Sequence, residues 1–157
     1  MVVEMAVSSE NKNKMAFALM VGIIYILFGI IQMIVGLGLE SGITDALLIP
    51  ADIFGGCVLL VIGAIFLYGY KELKAGTNDG VAFIYFGILL SLVFVVIYLL
   101  IMGADALCTY GLGMEDLESW TPLDDVKPGL YLGILALMGF LAWKDKFTLR
   151  GVSKAGA

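Results

Sequence analysis

The sequence predicts an all-α fold, a four-helix transmembrane bundle, on three observations. Hydrophobic residues make up 61% of its 157 positions, the mean hydropathy is +1.03, and the charges fall in short clusters between long apolar runs. A soluble domain of this size must cover its surface with polar groups and rarely reaches such a composition. The long runs also lack the polar face that a soluble helical bundle turns to water. Each is long enough, or nearly so, to cross a hydrocarbon core, which needs roughly 20 residues at ~1.5 Å per helical residue.

Residues 1–14 form an N-terminal segment with no apolar stretch ending in a small-residue cleavage site. No removable signal peptide is expected, and the first span serves as the insertion signal. Span one covers about 15–39, span two about 52–70 and span three about 81–104. Span four, about 128–143, is the shortest; Lys127 and Lys144 bracket it, so it snorkels its flanks or starts earlier, near Asp124. The transmembrane domain thus occupies 15–146, followed by a small, polar tail at 147–157.

Basic residues set the direction. Lys12 and Lys14 precede span one, Lys71 and Lys74 separate spans two and three, and Lys144, Lys146, Arg150 and Lys154 follow span four. Only Lys127 lies in the other loops, so the positive-inside rule places both termini in the cytoplasm of a multi-pass cell-membrane protein. The outer loops are acidic: Glu40, Asp45 and Asp52 in the first, then Asp105, Glu115, Asp116, Glu118, Asp124 and Asp125 in the second. Tyr68, Tyr70 and Trp143 fall at the inner interface and Tyr110 and Trp120 at the outer one, where amphipathic rings settle.

The two halves are alike. A shift of 73 places Asp52 on Asp125, Gly56 on Gly129, Tyr70 on Trp143 and Lys71 on Lys144. A shift of 65 pairs Asn13 with Asn78, Gly22 with Gly87, Gly38 with Gly103 and Glu40 with Asp105. The pattern fits tandem duplication of a two-helix hairpin, which yields a parallel repeat because each unit crosses twice. Spans two and four both follow a proline and aspartates, residues that suit a helix N-terminus, so helix starting explains Asp52, Asp124 and Asp125 more simply than metal binding does.

Span one carries a stripe of Ala18, Gly22, Tyr25, Gly29, Gln32 and Gly36, spaced alternately by four and three on one helix face. Gly56 and Gly63 in span two, Gly87, Ser91 and Tyr98 in span three, and Gly129, Gly133 and Ala136 in span four continue the theme. Small residues let helix backbones approach closely in lipid, so these positions are expected to pack helices or to form an interface between chains. Gln32 and Tyr25 then need partners across the contact, with Ser91 and Tyr98 the candidates. A substrate path lined by the same residues is the alternative.

No Asp, Glu, Lys or Arg lies in the central part of any span, unlike ion-coupled transporters, voltage sensors and pumps. The chain has no histidine, which removes the usual haem ligand, and Cys57 and Cys108 are too distant for a CxxC pair. They are expected as free thiols. The second acidic loop lacks the DxDxDG pattern of a calcium loop. No cofactor, metal or nucleic-acid partner is expected, and no acid–base or nucleophile pair lies in the interior to support an enzyme.

The glycine stripe and the Pro-x-Asp helix starts resemble those of uncharacterised small four-helix integral membrane proteins of archaea and bacteria, and the resemblance implies no activity. The embedded glutamate of small multidrug transporters is missing, as are the paired cysteines of disulfide-forming membrane enzymes. The bundle arginines of microsomal glutathione transferases and the claudin loop signature are missing too. The expected function is that of an accessory or self-assembling membrane subunit, alone or in a larger complex. Its recognition surface is the outer acidic set of Asp105, Glu115, Asp116, Glu118, Asp124 and Asp125. A small uncoupled transporter or channel subunit for a neutral solute is the alternative.

Overall fold

The computed structural model describes residues 9–39, 42–77, 79–113 and 119–144, and all regular structure among them is helical. Glu115, Asp116, Glu118, the repeat partners Glu40 and Asn78, and the tail at 147–157 lie outside the described residues. Helix α1 is Ser9–Gly36, α2 Gly42–Ala46, α3 Ile53–Lys74, α4 Asp79–Ala106 and α5 Pro128–Trp143. α1, α3 and α4 are each long and apolar enough to cross a membrane; α5 is apolar but shorter.

Local chemistry explains where the helices stop. α1 ends on Gly38 at φ 91°, with Leu39 N–H donating to Ile34 O and Gly38 N–H to Val35 O. α3 ends the same way on Gly76 at φ 85°, with Thr77 N–H on Glu72 O and Gly76 N–H on Leu73 O. Both are Schellman closures, which need a left-handed residue that glycine supplies without strain. α3 starts on Asp52, whose carboxylate accepts from Gly55 N–H at 2.9 Å.

α5 starts differently from the expected Pro-Asp pattern. Pro122–Asp125 fold into a separate 3₁₀ turn, and α5 begins at Pro128 after the extended residues Val126 and Lys127. The cause is Pro128 itself: its ring pushes Lys127 out of the helical region, while proline is well suited to the first helical position.

α4 overshoots. Together with a π turn at Leu107–Gly111 it forms a 33-residue apolar helix, about 50 Å long against a hydrocarbon core of about 30 Å.

The packing follows the glycines. α1 meets α3 backbone to backbone: a Cβ on Gly22 would lie 3.2 Å from Gly63 O, and one on Gly29 2.9 Å from Gly56 O. α3 meets α4 in the same way, where a Cβ on Gly80 would lie 2.5 Å from Gly69 O. α4 and α5 approach through Gly129 under the Tyr98 ring and Gly133 against Val95. α5 reaches back to α1 through rings instead, Phe17 on Trp143 at 5.1 Å and Phe28 on Tyr131 at 5.7 Å. The shared core draws Ala18, Val21 and Tyr25 from α1, Leu59, Ile62 and Phe66 from α3, Ile84 and Ile88 from α4, and Leu132 from α5.

Neighbouring helices run antiparallel, so charge separates by end. Lys12, Lys14, Lys71, Lys74 and Lys144 gather at one end, here the basic end. Asp45, Asp52, Asp105, Asp124 and Asp125 gather with Lys127 at the other, the acidic end.

Gly29→Leu should destabilise the protein by about 1–3 kcal/mol, because the added side chain meets the Gly56 carbonyl as well as the Leu60 side chain, and the backbone cannot move aside. Gly103 has nothing within 4 Å of its added Cβ, so Gly103→Leu should leave the unfolding midpoint unchanged or raise it. Thermal unfolding in mild detergent compares the two, and equal losses would contradict this account of the α1–α3 contact.

Candidate functional site

Two regions hold the sequence-derived site residues: the packed interior and the loops at the acidic end. Gly22, Gly29, Gly63, Gly87, Gly129 and Gly133 are buried, and Gly36 is half-buried against Ile53 of α3. Each meets a neighbouring helix of the same chain, Gly87 lying under the Phe66 ring. Tyr25, Gln32 and Ser91 are 0%, 1% and 1% exposed.

These three form a polar ladder. Tyr25 and Gln32 stand seven residues apart on one face of α1, about 10 Å along its axis. The Gln32 amide lies on the first turn of α3: its Nε2 and Asp52 Oδ2 both come within 2.5 Å of the point where a Gly55 Cβ would stand. Glycine at 55 therefore makes room for the amide. Gln32 Oε1 has no hydrogen-bond partner among the described residues. The Tyr25 hydroxyl approaches Ser91 without completing a hydrogen bond, and Ser91 Oγ donates instead to Gly87 O at 2.8 Å.

Towards the basic end the interior becomes aromatic. Phe66 packs on Tyr25 and on Phe17, each at 6.0 Å between ring centres, and Phe17 on Trp143. Beyond them sits Lys14, 4% exposed, with its ammonium 5.5 Å from the centre of the Tyr85 ring. Sequence reasoning treated Lys14 only as a topology signal. Its place one residue before an apolar run hints at burial, but not at an aromatic partner.

At the acidic end the carboxylates have different surroundings. Asp124 is exposed and accepts from Thr121 N–H at 2.7 Å and Thr121 Oγ1–H at 3.1 Å, capping the 3₁₀ turn. Asp125 is buried and accepts from Trp120 Nε1–H at 3.1 Å. Asp105 is half-buried, and its backbone carbonyl accepts from Thr109 Oγ1–H. The Tyr131 hydroxyl donates to Leu47 O at 3.1 Å, tying α5 to the first loop. Between the loops lies an open cleft of about 300 Å³ lined by Asp45, Leu48, Pro50, Asp124 and Lys127 among others. Leu123 of its lining is exposed, as are Leu107, Tyr110 and Leu112 in and after the π turn, with Tyr110 against Trp120 at 6.1 Å. Cys57 is exposed, Cys108 half-buried, and both are free thiols. Among the described residues no group of three or more His, Cys, Asp or Glu is placed to hold a metal ion.

Apolar helices of this length, with charge confined to the two ends, define a multi-pass integral membrane protein associated with the lipid bilayer. The chain belongs to the MJ0565 integral membrane domain family, whose model matches residues 9–145. It is similar to the uncharacterised protein MJ0565 of Methanocaldococcus jannaschii, at 31% identity over 126 residues covering 80% of this chain and 85% of that protein. No solved structure matches the chain.

The cap of α3 gives a direct test of how the ladder's open end is built. Asp52→Ala should lower stability by about 1 kcal/mol in thermal unfolding, while Asp52→Asn keeps most of it, since an amide oxygen still caps the helix.

Proposed function

We propose that this membrane domain is a non-enzymatic four-helix bundle, an accessory or self-assembling subunit that meets its partner through its acidic end. The observation that carries the reading is an asymmetry of use. The glycines and small residues of the stripe are occupied by contacts within the chain, whereas the acidic end exposes large apolar side chains, Leu47, Leu48, Leu107 and Leu123 among them, beside Asp45, Asp105 and Asp124. Exposed apolar residues rimmed by charge mark interaction surfaces. The stripe therefore supports folding of one chain, and any oligomer or larger complex would use other faces.

The positive-inside rule supports a cell-membrane orientation with the basic end and both termini cytoplasmic and the acidic end outside. Duplication of a hairpin is supported by like placement under the two shifts. Leu59 and Leu132 are both core residues, and Gly56 and Gly129 both meet the first helix of their own hairpin at matching positions, Met33 and Tyr98. The transporter reading has less support, because the aromatic layer of Phe66, Phe17 and Trp143 fills the interior on the basic side.

Two measurements test these proposals. In a background with Cys57→Ser and Cys108→Ser, Asp124→Cys should react with a membrane-impermeant thiol reagent on intact cells, and Lys12→Cys only after lysis; the reverse pattern overturns the orientation. Neutralising Asp45, Asp105 and Asp124 together to asparagine should release co-purifying membrane proteins while the unfolding midpoint stays within a few degrees of wild type. Selective solute flux into liposomes by the purified chain would overturn the subunit reading.

A further inference from the structure

We propose that Gln32 holds a small uncharged hydroxylic ligand of the size of water on its buried carboxamide oxygen. The proposal does not rest on the subunit reading.

Gln32 carries the inference. Its side chain is 1% exposed, lies among apolar helices, and keeps an acceptor oxygen with no partner among the described residues. A buried amide left in that state costs about 1–3 kcal/mol, so a bound hydrogen-bond donor is the economical explanation. Deeper on the same face the Tyr25 hydroxyl lies against Ser91. Asp52 is half-exposed, and one of its carboxylate oxygens and the Gln32 amide nitrogen crowd the same point over Gly55, so the nitrogen faces the α3 cap and the oxygen is the atom left without a partner among the described residues. Below Tyr25 the lining changes to Phe66, Phe17 and Ile84, which offer a polar molecule nothing. The ligand is uncharged because the ladder below Asp52 has amide and hydroxyl groups only, and a bare ion there would face the full desolvation penalty.

Gln32 is the only glutamine in the sequence, so its side-chain amide is a unique reporter. In protein labelled with ¹⁵N at glutamine and asparagine and reconstituted in bilayers, water magnetisation should reach the Gln32 amide about as fast as it reaches the exposed Asn13 amide. No transfer on that timescale would overturn the proposal. Gln32→Leu supplies a second readout: it should lower the unfolding midpoint in detergent, because bound hydrogen bonds are lost. A raised midpoint would mean that the amide is a dry orphan and would equally overturn it. Water contact at Gln32 without solute flux would separate this site from a through-path.

Discussion

The close approach of α1 and α3 governs much of the structure. Apolar helices gain little from leaving lipid for one another, because hydrocarbon tails are as apolar as leucine. Dispersion at short range has to hold them, and it falls off within a fraction of an ångström. Gly22 against Gly63 and Gly29 against Gly56 bring two backbones to the distance where that attraction is greatest. The contact also places the α3 N-terminus on Gln32, and so sets both the tightest packing and the most polar spot of the interior.

The seam between α1 and α5 obeys another rule. Rings of Phe17, Phe28, Tyr131 and Trp143 hold those helices apart and fill the space between them edge to face. Gly139 under Phe17 is the exception that lets one ring enter the α5 surface. The chain thus combines backbone-tight seams at α1–α3 and α3–α4 with a side-chain-spaced seam at α1–α5. A groove at the basic end, lined by Ala16, Met20, Met138 and Ala142, follows from that spacing.

The elements were largely legible in the sequence, because hydrophobic run length and end charge are one-dimensional properties. The four-three spacing of the stripe marks a helix face whatever that face touches. The partner of that face was not legible. Periodicity says that Gly29 needs a close neighbour, but only the fold says that the neighbour is Gly56 of the same chain rather than a second copy. Gly80 escaped notice because it sits beside a turn, where glycine is common for conformational reasons that hide a packing role, and Gly69 because it falls one residue off the seven-residue spacing of Gly56 and Gly63. The role of Asp124 and Asp125 was blurred by their likeness to Asp52. One residue, Pro128, moved the helix start beyond them and left them to stabilise the loop.

The division of the interior follows from where unpaired polarity is tolerable. A hydroxyl or amide near a helix end can reach water through a half-exposed cap such as Asp52, and the same group near the far end of a closed ring stack cannot. Gln32, Tyr25 and Ser91 occupy the half that opens at the α3 cap, and Phe66, Phe17 and Trp143 occupy the half that does not. Lys14 is buried beyond the rings, yet it lies close to the basic end and rests its charge on Tyr85. Polar groups of the interior therefore collect towards the acidic end and aromatic rings towards the basic end.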